Sequence, residues 1–185
     1  MCEIKRTGTD RRNFERAAFV CKARAVDRER PYASVVHVER TRTGSRLVAT
    51  DGKTRLYVAS VRCRIPGGNY KPVVLQDRIV FGKPVSGINF PDWPKAVPKN
   101  AAKSGTVSLE KTGKGNAVAK AGEISLAANI LSARTGLVVN TRHIAELPKT
   151  AWTVYKEPGF GKVVVRQQGE EDNAFAVFIP VGKAA

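Results

Sequence analysis

The sequence predicts an α+β fold built from two similar halves, and three observations carry that prediction. A stretch of helical periodicity near the N-terminus gives way after Pro31 to runs with a period of two. Those runs are joined at Thr43-Gly44 and Asp51-Gly52, residue pairs suited to tight turns. The order of one helix followed by three strands then recurs in the second half, with no repeated sequence behind it. Antiparallel meanders with segregated helices belong to the α+β class.

Residues 1–9 read as a flexible leader and 10–185 as a single domain. Within it, half one runs over 10–66, a Pro/Gly-rich insertion over 67–104, and half two over 105–181. Asp10 is placed to cap a helix from about Arg11 to Val26. On a 3.6-residue period Phe14, Ala17, Ala18, Cys21 and Ala25 share the core stripe. Arg12, Arg16 and Ala23 fall opposite, with Lys22 and Arg24 on the flanks. Ser34–Arg40, Arg46–Thr50 and Arg55–Val61 follow as strands rich in Val, Leu and Tyr, until Ile65–Tyr70 breaks the sheet. The insertion carries five prolines, yet its centre is apolar and aromatic, so it is expected to pack on something. In half two, strands are expected at Thr106–Lys111, Ala117–Ala121 and Glu123–Ala128. Leu137-Val138-Val139 leads to Asn140, an N-cap for a short helix Thr141–Leu147 that Pro148 stops. Strands Trp152–Lys156, Lys162–Arg166 and Ala174–Ile179 complete it, the last two separated by the Glu170-Glu171-Asp172 turn.

Composition narrows the function classes. An apolar share of 42% supports a packed core. No window approaches a membrane span, and Met1–Arg6 lacks the apolar core of a signal peptide, so a cytoplasmic protein without membrane contact is expected. Three scattered cysteines and two histidines suit neither a disulfide framework nor a metal site, and no cofactor is expected. The net charge of +16 is the strongest signal. It is spread along the chain, with sixteen basic and seven acidic residues in 1–64 and sixteen and nine in 65–185. Such a field concentrates a polyanion and makes its binding salt-dependent.

Motifs for bond chemistry are few. Gly113-Lys114-Gly115 and Gly159-Phe160-Gly161-Lys162 lack the full phosphate-loop string, and the second enters a strand, so hairpin turns are the ordinary reading. Neither His37 nor His143 has a nucleophile in recognisable context, although a pairing with Asp51 or Asp92 stays open. Carboxylates are too sparse for a two-metal nuclease, which ranks third among the functions considered. Asp51-Gly52 reads as a turn that tolerates positive φ. The basic residues Arg12, Arg16, Lys22 and Arg24, with Arg142 and Lys149 around the second helix, are candidates for phosphate contact without base readout.

Three strings, in order, resemble one family. Arg46-Leu47-Val48-Ala49-Thr50-Asp51-Gly52, with Arg55-Leu56 and Val58-Ala59, is similar to the strand–turn–strand signature of bacterial DNA polymerase III sliding clamps (the beta subunit), commonly close to LVATDGHRLA. Phe90-Pro91-Asp92-Trp93, followed by Val97-Pro98-Lys99-Asn100, resembles the FPDY…VLPKN junction between clamp domains. Ala174-Phe175-Ala176-Val177-Phe178-Ile179-Pro180-Val181 is similar to the final strand, which usually ends near YVVMPM. Two departures stand out. Lys53-Thr54 occupies the place of a single His, and Val181-Gly182-Lys183 replaces the usual Met-Arg-Leu ending.

The resemblance implies a clamp-like domain of two pseudo-repeated halves, each with one helix packed on an antiparallel curved sheet. It implies helices facing the duplex, placing Arg12, Arg16, Lys22, Arg24, Arg142 and Lys149 towards double-stranded DNA. It also implies a shallow apolar pocket for partner peptides at Thr50, Gly52, Leu56, Pro180 and Val181. The expected partners are replication proteins such as a polymerase or a clamp loader. Familiar clamps have three such domains per chain and close as dimers. A one-domain chain would form a homo-oligomer, and a six-domain ring would need about six copies. The implied function is a non-enzymatic, nucleoid-associated processivity factor of bacterial or phage replication. It tethers replication or repair partners to DNA by encircling the duplex or holding it electrostatically. The alternative is a basic DNA-binding protein that forms no ring and recruits or blocks a replication partner.

Overall fold

A helix held between two sheets organises the first of two structural units, Met1–Pro94 and Lys95–Ala185. The computed structural model describes residues 1–109, 117–159, 161–170 and 173–183, with the backbone alone for 9, 117–123 and 183. The boundary between the units falls inside the expected 67–104 insertion, whose strands are shared between them.

The first unit contains β1 (Cys2–Lys5), α1 (Arg11–Cys21), β2 (Val36–Thr41), β3 (Gly44–Thr50), β4 (Arg55–Val61), β5 (Gly68–Tyr70), β6 (Val73–Val74) and β7 (Arg78–Phe81). Strands β5-β2-β3-β4 form one antiparallel run and β1-β7-β6 a second, smaller sheet. Helix α1 packs on β3 and β4 on one side and on β1 and β7 on the other. The expected flexible leader is therefore wrong for residues 2–5. Ile4 is 1% exposed and lies opposite Ile79, giving the smaller sheet an apolar face to set against the helix.

Enclosure on two sides also rotates the core stripe of α1. Asn13, Arg16, Phe19 and Val20 join Phe14, Ala17 and Cys21 in the interior, while Ala18 and Ala25 are only half-buried. Phe19 stacks on Tyr57 of β4 with ring centroids 4.4 Å apart. The helix stops at Cys21, short of the expected Val26. Beyond it Lys22, Ala23 and Arg24 donate to Phe19, Val20 and Cys21, tightening the end into a 3₁₀ turn. Asp10 precedes the helix without a side-chain bond to a helix N–H; its Oδ1 accepts from Asn13 Nδ2 at 3.4 Å.

The turn between β3 and β4 is built around Asp51. Its Oδ1 accepts the backbone N–H groups of Lys53, Thr54 and Arg55 at 2.9, 2.8 and 3.1 Å. Its Oδ2 takes the Thr54 hydroxyl at 2.6 Å and faces Arg55 Nε at 3.5 Å. Gly52, and not Asp51, adopts the positive φ, at 72°. A Cβ there would also press on Arg30 Cδ at 2.9 Å. Burial pushes the Asp51 carboxyl up, but the Thr54 hydroxyl and the three N–H donors outweigh it and hold the group below its ordinary value.

The second unit contains β8 (Ala102–Ser108), α2 (Ala117–Thr135), β9 (Leu137–Val138), α3 (Thr141–Glu146), β10 (Ala151–Lys156), β11 (Val163–Gln167), β12 (Ala174–Phe178) and β13 (Gly182–Lys183). Strands β8-β10-β11-β12 form an antiparallel run, and β9 pairs with β13. Helix α2 replaces the strands expected at Ala117–Ala121 and Glu123–Ala128. The run is rich in alanine, the best helix former, and Ala127, Leu131 and Thr135 form a buried stripe at four-residue spacing on a helix that packs on β8 and β10. Gly136 closes the helix at φ 66°, its N–H bonded to Ser132 O. Asn140 caps α3 as expected, its Oδ1 accepting from Arg142 N at 2.9 Å. Trp152 and Phe178 are fully buried on β10 and β12. Residues 110, 111, 171 and 172, in an expected strand end and an expected turn, lie outside the described residues.

Two outcomes follow from these contacts. Ile4→Asp places a carboxylate in the closed interface under α1 and is expected to cost about 3 kcal/mol or more in urea denaturation; a dispensable leader would show no loss. Asp51→Ala is expected to cost about 2 kcal/mol at neutral pH, because it orphans donors that now meet a charge. Since the folded value is depressed, the Asp51 contribution is present above the unfolded carboxylate value near about pH 4 and lost as pH falls through the lower folded value. The Ala variant is therefore expected to lose less stability than the parent across that acid range, read as midpoints in a pH series of urea melts.

Candidate nucleic-acid interface

Positive charge accumulates in both units. Residues 1–94 hold nineteen basic and nine acidic residues, and residues 95–185 thirteen and seven. On α1 the exposed positions are Arg11, Arg12 and Glu15, with Lys22 just past the end, because the remaining faces are covered by the two sheets. Arg11 is engaged by Glu15 at 3.2 Å. Arg12 and Lys22 thus stay at the surface as expected.

Arg16 does not. It is 7% exposed, and its NH1 donates to Ser60 O at 3.1 Å, so the guanidinium tacks the helix to the end of β4. Burial, then Arg12 and Arg62 nearby, lower its pKa from the ordinary value, marking a local crowd of positive charge. Arg24 is half-buried and likewise structural, with Nε on Cys21 O at 3.1 Å and NH1 on Pro72 O at 3.2 Å. Arg16 is drawn in because a second face of α1 is covered, and Arg24 because the helix ends at Cys21 and the following turn carries it onto Pro72.

In the second unit Arg142 and Lys149 are both exposed, one in the first turn of α3 and the other after its end. Arg142 Nε lies 3.7 Å from Glu146 Oε1 and keeps 79% of its side chain exposed. Sequence reasoning missed α2 and with it Arg134, an exposed cation in the last helical turn, packed across Gly105. The alanine content of 117–135 was the available signal.

The five residues expected to line a peptide pocket divide between the units. Thr50 is 9% exposed; its hydroxyl donates to Arg55 O at 2.7 Å and accepts from Gly52 N at 2.9 Å. Leu56 is 5% exposed and sits opposite Thr50 in the β3–β4 register. Both side chains therefore serve the hairpin and core of the first unit. In the second, Pro180 is buried while Val181 is 62% exposed, its N–H bonded to Val138 O at 2.8 Å.

The other residues singled out have packing roles. His37 Nδ1 meets Asn69 Oδ1 at 2.8 Å, and its ring stacks on Phe90 at 4.8 Å. His143 is 5% exposed and stacks on Phe178. The described hydrogen bonds of Asp51 stay within its own turn. Trp93 is fixed to the first unit by its Nε1 donating to Glu39 Oε1 at 2.6 Å and by the Arg46 guanidinium 5.7 Å above its ring. That network gives the Phe90–Trp93 string a structural reason. At Gly159–Lys162, Glu157 Oε2 accepts from Lys162 N at 3.0 Å, so a carboxylate sits where a phosphate loop would need open donors. Phe160 and Gly113-Lys114-Gly115 lie outside the described residues. Among the described residues no three His, Cys, Asp or Glu side chains converge as metal ligands, and no helix is long and apolar enough to cross a membrane.

No protein-family model and no curated protein matches this chain. Solved structures do match it. The DNA polymerase III beta subunit of Thermotoga maritima aligns at a TM-score of 0.65 and 11% identity, over 99% of this chain and 65% of that one. The DNA polymerase sliding clamp of Pseudomonas aeruginosa aligns at 0.62 and 16%, over 97% and 66%, and that of Bacillus subtilis at 0.62 and 11%, over 97% and 63%. The chain thus spans just under two thirds of the length of the clamps it matches. At these identities the likeness is one of architecture, and the fold of this chain is that of the bacterial DNA sliding clamps.

Proposed function

We propose that this protein is a clamp-like DNA tether, a non-enzymatic processivity factor that holds a replication or repair partner on duplex DNA. The observation that carries the reading is the clamp fold over nearly the whole chain, joined to a net charge of +16. Binding rests on phosphate contact without base readout, so that the protein slides. Arg12, Lys22, Arg142 and Lys149 are the proposed phosphate contacts, since all four are exposed; Arg134 is added to them. Arg16 and Arg24 support α1 from within and act on DNA through its placement.

Each of the two units packs a helix on an antiparallel run, one half of the clamp-like domain described above, so the chain counts as a single domain. A ring with the six-domain circumference of familiar clamps therefore needs about six copies. The peptide-binding role of Thr50, Gly52, Leu56, Pro180 and Val181 rests on Val181 for its exposed apolar contact. The departure at Lys53-Thr54 weakens that role. A basic DNA-binding protein that forms no ring, and recruits or blocks a partner, is the second reading; the net charge of +16 alone would carry it.

Encirclement is tested by retention on circular and on linear DNA at high salt, with native mass measured in parallel. A closed ring of about six copies retained only on the circle is the expected result. A monomer lost equally from both forms supports the second reading and removes the ring. Replacing Arg12, Lys22, Arg142 and Lys149 by Ala is expected to weaken binding to all duplex sequences alike. It should also reduce the slope of log affinity against log salt by about 3 to 4. An unchanged slope would remove these residues from the interface. Arg16→Ala is expected to lower thermal stability first.

A further inference from the structure

A second concave site lies in the first unit and shares no residue with the Thr50, Gly52 and Leu56 group. It is an open cavity of about 460 Å³, within the size range of sites that hold small ligands and peptide side chains. Its floor is apolar. Ile65, Tyr70 and Phe81 are at most 2% exposed, and the Tyr70 and Phe81 rings meet edge to face at 5.8 Å. The Tyr70 hydroxyl is turned to Pro66 O at 2.8 Å, which satisfies the one polar group of that floor. Cys2 forms part of the wall, and burial pushes its thiol up, keeping it neutral. At the rim stand the exposed cations Arg64 and Lys83, and the lining contains no carboxylate.

We propose that this cavity is a docking site for a short acidic peptide, which seats one aliphatic or aromatic side chain against the exposed Pro66 and Pro84 of its lining and presents flanking carboxylates to Arg64 and Lys83. Charge complementarity selects the occupant. The rim is positive and the floor neutral and apolar; Asp10 and Glu3 raise the Cys2 thiol, and Asp10 that of Cys63, but neither carboxylate lines the cavity. A nucleic acid would also answer the rim. However, an unstacked base needs an open aromatic face, and the Phe81 and Tyr70 rings are covered almost completely. A side chain anchored by shape, with a charged fringe, matches the geometry. The site is independent of the DNA contacts proposed above, so either can fail alone.

The test uses the full chain and a fluorescein-labelled hexapeptide with one leucine between aspartates, titrated by fluorescence anisotropy. A control peptide carries serine for leucine, and a single-stranded oligonucleotide of similar charge is titrated alongside. Gly82 lines the mouth, and a Cβ built there meets nothing within 4 Å, so Gly82→Trp is expected to fill the cavity without disturbing the fold. The expected result is leucine-dependent binding that weakens about tenfold or more in Gly82→Trp and in the Arg64→Glu/Lys83→Glu pair, while duplex affinity of Gly82→Trp is unchanged. Equal binding of leucine and serine peptides would reduce the site to general electrostatics and overturn the proposal. So would an oligonucleotide whose affinity falls in Gly82→Trp while the peptide's does not.

Discussion

The first unit depends on the enclosure of one short helix between two sheets. An eleven-residue helix has little stability of its own in water, so its packing must hold it. With β3 and β4 on one side and β1 and β7 on the other, most of its circumference is dry, and the small residue at Ala17 allows close approach. The Phe19–Tyr57 stack fixes its axial position on the larger sheet. The same enclosure draws Arg16 inward to Ser60 and leaves only a narrow charged strip in water. A polyanion could address α1 only along that strip, so packing limits how many helical cations are usable.

The β3–β4 turn shows how one extra residue is accommodated without disturbing the strands. Relative to the clamp pattern, Lys53-Thr54 takes the place of a single histidine. Thr54 supplies Asp51 with its shortest hydrogen bond, and the backbone beyond it folds over the same carboxylate. Asp51 serves as the hub of the loop, Thr50 is committed to Arg55 and Gly52, and Lys53 pairs with Asp27 at 3.7 Å. Polar groups that could have met a partner are consumed internally.

Legibility in the sequence followed the range of the forces involved. Elements set by local alternation and turn chemistry, such as β4 at Arg55–Val61 and β10 at Ala151–Lys156, were readable within a residue or so. Asn140 as a cap was equally local. What escaped depended on distant partners. Strand β1 exists because Ile79 and Phe81 lie some seventy-five residues away to receive it. Helix α2 was mistaken for strands because apolar residues in 117–128 fit both periods, and burial against β8 and β10 decides between them. Of the candidate site, Arg12, Lys22, Arg142 and Lys149 lie at the surface as read from the string, while Arg16 is drawn in by the second sheet over α1 and Arg24 by the turn beyond its end. The cavity at Tyr70 and Phe81 had no signal in the string at all, since its walls come from separate segments.

The chain has only two tryptophans, and they fall one to each unit. Trp93 is held at the first unit under a guanidinium and hydrogen-bonded to a carboxylate, while Trp152 sits in the dry interior of the second with its N–H on Pro148 O. These are optically different environments, one charged and nearer to solvent, the other apolar. Intrinsic emission therefore offers two built-in reporters. With either indole replaced by phenylalanine, the remaining one follows the unfolding of its own unit, and whether the two melt as one cooperative body or in sequence becomes readable without any added label.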